Sequence, residues 1–380
     1  MNTIKIPRYY QNLEKYLKPN KVLVIFGSRQ VGKTTLLKDY LNTINGKIKY
    51  KLDFGDDLKI QNLLNLKDFS KIKEYVQGYD LIAIDEAQKI KNIGEGLKII
   101  IDQTPGIKII ATGSSSFELS GQVGEPLTGR KITLTLFPIS QVELKNLYNN
   151  YELKNRLEEY LIYGGYPEIA VNNNLEEKKR ILNEIVGSYL LKDVLELEKV
   201  KGSKILLDLL RLLAFQVGSE VSLSELGKQL ALDYKTIARY LDLFEKSFVI
   251  YSLRGFSRNL RKEVTKKAKY YFFDNGVRNA IIANFNPLEL RDDIGKLWEN
   301  FIISERLKKQ AYCGIFANNY FWRTWDGKEI DFIEEREGKL FGYEFKFKDK
   351  TAKAPQEWLK SYPGSIFQII NQENYLDFVA

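Results

Sequence analysis

Through the amino-terminal half of the chain, short apolar runs alternate with stretches of helical periodicity. Lys21–Phe26, Lys47–Asp53, Leu81–Asp85, Ile107–Thr112 and Lys131–Leu136 read as strands, with helices at Lys33–Asn45, Asp68–Val76 and Gly94–Gln103. Strands that are apolar throughout, alternating with helices, predict a mostly parallel sheet covered on both faces. From Ser140 to Lys201 the pattern turns helical, broken at Gly164-Gly165-Tyr166-Pro167, which predicts a helical lid. A second unit runs from Ser203 to Val277. A third opens with a helix over Ile294–Gln310 and continues as strands broken at Asp326-Gly327 and Glu337-Gly338. The expected division is an α/β core over 1–139, a lid over 140–202, a central unit over 203–280 and a small α/β unit over 287–380.

The first strand leads into Gly27-Ser28-Arg29-Gln30-Val31-Gly32-Lys33-Thr34-Thr35. Strand, G-x-x-x-x-G-K-T and helix in that order form a phosphate-binding loop. Its glycines let the backbone curl so that N–H groups point at phosphate oxygens, and the helix N-terminus adds partial positive charge. Lys33 is expected on the β- and γ-phosphates of ATP, and Thr34 on Mg²⁺. The strand Leu81–Asp85 ends in Asp85-Glu86 and is expected beside this loop, Asp85 holding Mg²⁺ and Glu86 taking a proton from the attacking water. After Ile107–Thr112, Ser114 is the first choice and Ser115 the second for a hydroxyl on the water or the γ-phosphate, with helix capping as the alternative. Arg130 is a candidate for charge on the transferred phosphoryl group, from this chain or a neighbouring subunit, or else a surface arginine paired with an acid.

Composition narrows the chemistry. The 380 residues contain no histidine, which removes Ser-His-Asp and Cys-His systems and histidine-based zinc sites. Any metal must sit on oxygen ligands, which suits Mg²⁺ or Mn²⁺. Cys313 is the single cysteine, so no intramolecular disulfide forms, and a reducing, cytoplasmic setting fits. Met1–Arg8 lacks the apolar core of a signal peptide, and no run is long enough for a membrane helix. The net charge of +9 suits a phosphate-rich partner, or reflects a Lys- and Ile-rich composition.

Together these motifs resemble the bacterial and archaeal AAA-type ATPases that join a P-loop domain to a winged helix and a restriction-endonuclease-like domain. The resembling residues are Gly27–Thr35, Ile84–Gln88, Ala111–Ser115, Leu127–Arg130 with Phe137–Ser140, Gly164–Glu168, Tyr271–Gly276 and Gly295–Asn300. The resemblance implies an ATP hydrolase whose parallel P-loop NTPase sheet and lid are followed by a winged helix and a nuclease-like unit. Relatives of this type often form rings, which leaves a homo-oligomer open.

In the central unit, Ser222-Leu223-Ser224-Glu225 is a capping box opening a short helix, and Asp233 caps a second over Tyr234–Phe248. Ile237, Tyr240, Leu241 and Phe244 recur at helical spacing as core; Lys235, Thr236, Arg239 and Asp242 lie between them. Helix, short turn and helix make a common DNA-reading module. A strand over Phe248–Leu253 leads to a basic loop with Arg254, Arg258, Arg261, Lys262, Lys266, Lys267 and Lys269, which as a wing would track DNA phosphates. The alternative is a module packed on its neighbours.

The last unit alternates like strands over Tyr320–Trp325, Ile330–Glu334 and Leu340–Phe347. Asp331 lies on the second, and Glu344 and Lys346 share one face of the third. With Glu299 on the preceding helix, this resembles the PD-(D/E)xK nucleases, in which carboxylates bind Mg²⁺ and the lysine activates water. Ile330 stands where that pattern has proline. Two functional readings follow: an ATPase acting on DNA, with or without cleavage, or a nucleotide-controlled scaffold whose last units bind protein.

Overall fold

The strand β1 (Val22–Phe26) is buried on both faces and sits inside a sheet rather than at its edge. In the computed structural model, which describes residues 5–65, 68–114, 126–190, 195, 203–257, 268–324, 327–348, 351 and 353–380, β1 pairs with β4 (Lys108–Gly113) and β5 (Lys131–Thr135). Beyond β4 lie β3 (Leu81–Asp85) and β2 (Tyr50–Phe54), giving the order β2-β3-β4-β1-β5. Every pairing is parallel. The central strands are almost wholly buried, whereas β2 and β5 are not, as edge positions require.

The period-two alternation splits the strands between two cores. Val22, Val24 and Phe26 face α2 (Leu58–Asn65), α3 (Phe69–Val76) and α4 (Ile93–Gln103). Leu23 and Ile25 face α1 (Lys33–Ile44) and the lid. The helix α2 escaped the sequence reading because only Ile60 and Leu64 of its eight residues are buried. Lys47–Lys49, expected at the start of a strand, instead turn off the end of α1, with Gly46 at φ +78° and Lys47 N donating to Ile44 O.

The lid comprises α5 (Gln141–Leu144), α6 (Asn150–Asn155), α7 (Leu157–Tyr163), α8 (Pro167–Ala170) and α9 (Leu175–Glu184), interrupted at Gly164–Tyr166 as expected. After α10 (Ser203–Phe215) come β6 (Glu220–Val221), α11 (Leu223–Leu230), α12 (Tyr234–Lys246), β7 (Ile250–Gly255) and β8 (Ala268–Phe272). Then follow α13 (Asn275–Ile281), α14 (Ile294–Cys313), β9 (Asn318–Arg323), β10 (Glu329–Arg336), β11 (Lys339–Phe345), α15 (Gln356–Ser361), β12 (Ile366–Ile370) and α16 (Tyr375–Val379). The strands of the two carboxyl-terminal units form one sheet, β12-β11-β10-β9-β7-β8-β6. They are joined where β7 runs parallel to β9, with Arg254 opposite Tyr320 and Gly255 opposite Phe321.

Two motifs distant in sequence meet at the lid turn. The Asp274 carboxylate accepts from Gly165 N at 2.7 Å and Val277 N at 3.0 Å. A Cβ on Gly164 would stand 2.1 Å from Asp274 Oδ1, and one on Gly276 would stand 2.1 Å from Tyr163 O. Asn275 Nδ2 donates to Leu161 O and Leu297 O, and Asn300 Nδ2 to Asn275 Oδ1. The lid turn, β8–α13 and α14 are thus stitched by buried, satisfied polar groups.

Candidate functional site

The loop after β1 takes its shape from residues that tolerate unusual backbone. Gly27 has φ +153°, and a Cβ there would lie 2.1 Å from Leu136 O. Gln30 and Gly32 have φ +63° and +92°. Left-handed residues alternating with ordinary ones ahead of a helix N-terminus form an anion-binding concavity. Lys33 is buried and folds back over the loop, Nζ donating to Gly27 O at 2.7 Å and Ser28 O at 2.8 Å. Val31 is buried, Arg29 half-buried, and Thr35 exposed at the first turn of α1.

Thr34 Oγ1 donates to Asp85 Oδ2 at 2.7 Å. The other oxygen of Asp85 accepts from the Thr112 hydroxyl, which itself accepts from Glu86 N at 3.2 Å. Glu86 is left-handed at φ +55° and accepts from Gln88 Nε2 at 2.8 Å. Gly55 makes room for that turn, since a Cβ there would lie 2.1 Å from Glu86 O. The carboxyl end of β3 meets the phosphate loop through Asp85 and Thr34, although in sheet order β3 is separated from β1 by β4. The carboxyl end of β4, with Thr112 and then buried Ser114, therefore sits between the loop and Asp85-Glu86. Thr112 was missed by sequence reading, although it ends an apolar strand. The juxtaposed Thr34 hydroxyl and Asp85 carboxylate are hard oxygen donors, which fits Mg²⁺.

Arg130 is not brought to this edge. It precedes β5, where its carbonyl accepts from Val22 N at the opposite end of β1 from the loop, and its guanidinium pairs with Asp102 on α4. Within one chain it stands a strand length from the loop, so the paired-acid alternative describes its position.

Behind the loop lies a network no motif announced. Arg8 Nη1 donates to Val31 O at 2.5 Å, Nη2 to Phe137 O at 2.7 Å and Nε to Glu143 Oε1 at 2.8 Å. Glu143 also closes the capping box with Ser140 and accepts from Tyr9 N at 2.9 Å. Tyr312, from the end of α14, stacks on Tyr9 at 4.8 Å and accepts from Phe137 N at 3.2 Å. Tyr166 of the lid turn reaches the loop itself, its hydroxyl 3.2 Å from Ser28 Oγ.

In the carboxyl-terminal sheet, Asp331 Oδ2 accepts from Phe345 N at 2.7 Å, and Lys346 pairs with Glu344 at 2.8 Å. Burial, then the nearby carboxylates Glu299 and Glu344, push Asp331 well above the usual carboxylate range. Glu299, Asp331 and Glu344 were expected as metal ligands; among the described residues no group of three or more acidic or cysteine side chains placed to hold a metal ion is found. Of these three acids, Glu299 faces Lys269. The Lys269 Nζ stands 3.6 Å from Glu299 Oε1 and pairs with Glu329, neither of which sequence reading linked to it. Burial would lower the Lys269 ammonium, but Glu299 and Glu329 more than offset this and hold it above the ordinary lysine value.

The pair α11–α12 carries both N-caps, although the reciprocal half of the capping box expected at Ser222–Glu225, from the Glu225 side chain to Ser222 N, is not among the bonds seen. Ser222 Oγ accepts from Glu225 N, and Asp233 from Lys235 N and Thr236 N. Ile237, Tyr240, Leu241 and Phe244 are buried; Lys235, Arg239 and Asp242 are exposed. Residues 258–267, with most of the basic loop, lie outside the described residues, as do Ser115, Ser116, Trp325 and Asp326.

Residues 19–145 match a family described as AAA domain. With its parallel five-stranded sheet and phosphate loop, this unit has a P-loop NTPase fold. Residues 154–288 and 294–369 match two domains of unknown function, DUF8612 and DUF4143. An uncharacterized protein of Methanocaldococcus jannaschii is 26% identical over 347 residues, covering 87% of this chain and 75% of its own length. One of Haemophilus influenzae is 29% identical over 356 residues, covering 87% and 84%. Among solved structures, a replication initiator DnaA bound to AMPPCP and single-stranded DNA is similar at TM-score 0.32 and 19% identity, over 59% of this chain and 81% of that one. Among the described residues no helix is long and apolar enough to cross a membrane.

Proposed function

We propose that the chain binds ATP with Mg²⁺ in the loop Gly27–Thr35 and hydrolyses it. The observation that carries this reading is the meeting of Thr34 and Asp85 at the carboxyl edge of the sheet, beside a loop whose lysine is already folded over it. Loop amides and the N-terminus of α1 cradle the phosphates, and Lys33 exchanges its loop carbonyls for β- and γ-phosphate oxygens. Thr34 and Asp85 hold Mg²⁺, which neutralises phosphate charge. Glu86 takes the proton of the attacking water, its carboxylate steadied by Gln88. Ser114, next to β1 at the end of β4, positions that water or the γ-phosphate. The single cysteine suits work in the reducing cytoplasm.

DNA is the second partner in this reading. The capped pair α11–α12 exposes Lys235 and Arg239, and the sequence adds the basic loop that follows β7. The scaffold reading is favoured by one observation: the carboxylates of the last unit face a lysine. Turnover decides the ATPase. Lys33→Ala should lower ATP hydrolysis by about 100-fold or more, the scale for losing one preorganised donor to developing charge. Wild-type turnover in that variant would end the proposal.

A further inference from the structure

We propose that Lys269 is the resident cation of the carboxylate cluster in the last unit, holding the position a divalent metal would take, so that the cluster binds no such metal while Lys269 is in place. Lys269 comes from β8, in the unit that precedes the cluster, and its side chain is only 3% exposed. It extends beside the Phe321 ring of β9, 5.2 Å from the centroid, to reach Glu299 on α14 and Glu329 on β10. Tyr271 lies two residues further along β8 and so points to the same face. Its hydroxyl donates to Glu299 Oε1 at 2.6 Å. The same strand therefore inserts both a cation and a hydroxyl donor. On the far side, Asp331 accepts from a backbone amide and Glu344 holds Lys346. Arg323 stands 3.9 Å from Glu329 and 3.4 Å from Glu220 at the rim. Gly218 closes the cluster over Glu299, where a Cβ would lie 3.1 Å from Oε2.

The charges facing the cluster are thus Glu299, Glu329, Asp331 and Glu344 against Lys269, Lys346 and Arg323. A dication entering here would meet a buried ammonium at contact distance from Glu299 and Glu329, and repulsion in a desolvated site is large. Withdrawing Lys269 leaves buried carboxylates uncompensated, a condition that recruits a cation. The arrangement also lets the strand β8 clamp the central unit to the last one through charge.

The test uses the full-length chain without nucleotide, so its outcome is independent of the ATP reading. Mn²⁺ uptake is followed by electron paramagnetic resonance in wild type, Asp331→Asn, Lys269→Arg, Lys269→Met and Lys269→Met/Asp331→Asn. Folding is checked by circular dichroism. Wild type and Lys269→Arg should show no saturable uptake that depends on Asp331. Lys269→Met should gain one saturable site, lost again with Asp331→Asn. Asp331-dependent uptake by wild type would overturn the proposal, and it stays decisive if Lys269→Met fails to fold. A folded Lys269→Met that takes up no Mn²⁺ would overturn it as well.

Discussion

Arg8 shows how much one buried side chain can join. Its guanidinium reaches the phosphate loop at Val31 O, the segment after β5 at Phe137 O, and Glu143 at the start of the lid. Glu143 has 0% exposed side chain, and Arg8 is the cation paired with it. Arg8→Ala would leave a buried carboxylate uncompensated and free two loop carbonyls. The expected loss is about 3–5 kcal/mol, the scale for removing one member of a buried pair. The midpoint of denaturant unfolding reads this directly, with Arg8→Lys recovering part of it. A loss below about 1 kcal/mol would mean the pair behaves like a surface one. The Gly27–Thr35 loop was legible in sequence because its chemistry is written in consecutive residues. Arg8, Glu143 and Tyr312 were not: Arg8 and Glu143 are 135 residues apart, Phe137 and Tyr312 are 175 apart, and nothing local marks either separation.

Between elements, the lid turn is a tight contact. Gly164 has φ +73° and no room for a Cβ, which would strike the carboxylate of Asp274. Gly106 has φ +90° but open space where a Cβ would go. Gly106→Ala should therefore cost only the backbone strain, about 1–3 kcal/mol. Gly164→Ala should cost clearly more, because Asp274 must also give up its place against Gly165 and Val277. Thermal midpoints of the two variants measured side by side check this, and equal shifts would show that the clash is relieved freely. The same elements show what an apolar pattern can reveal. The inner strands β1, β3 and β4 were legible because burial on both faces demands unbroken apolar runs. The union of the central and last units into one sheet was not. It rests on the short parallel pairing of β7 with β9, and the two-residue strand β6 leaves no periodicity to read. The acid-x-lysine pattern of Glu344 and Lys346 was likewise visible, while the lysine facing the acids came from another unit.

At the scale of the whole molecule, a hydrogen-bonded route runs from the phosphate loop through the lid turn and α13 to α14. Tyr166 links the loop to the lid turn, Asp274 links the lid turn to α13, and Asn300 links α13 to α14, whose last turn reaches Phe137 after β5 through Tyr312. Along that route a change at the phosphates has packed, hydrogen-bonded elements to act on. If nucleotide binding changes the affinity of the α11–α12 face for DNA, reciprocity requires DNA to change nucleotide affinity by the same factor. With a net charge of +9, that binding should be electrostatic in large part. In the DNA reading, ATP turnover is expected to rise when duplex DNA is added at low salt, and the rise should vanish as salt increases. Replacing exposed Lys235 with alanine should lower the slope of log affinity against log salt by about one for a lost phosphate contact. Lys246 is already committed to Asp242 at 2.8 Å, so Lys246→Ala should change that slope less. Turnover indifferent to DNA at every salt concentration would favour the scaffold reading, with protein rather than nucleic acid on the α11–α12 face.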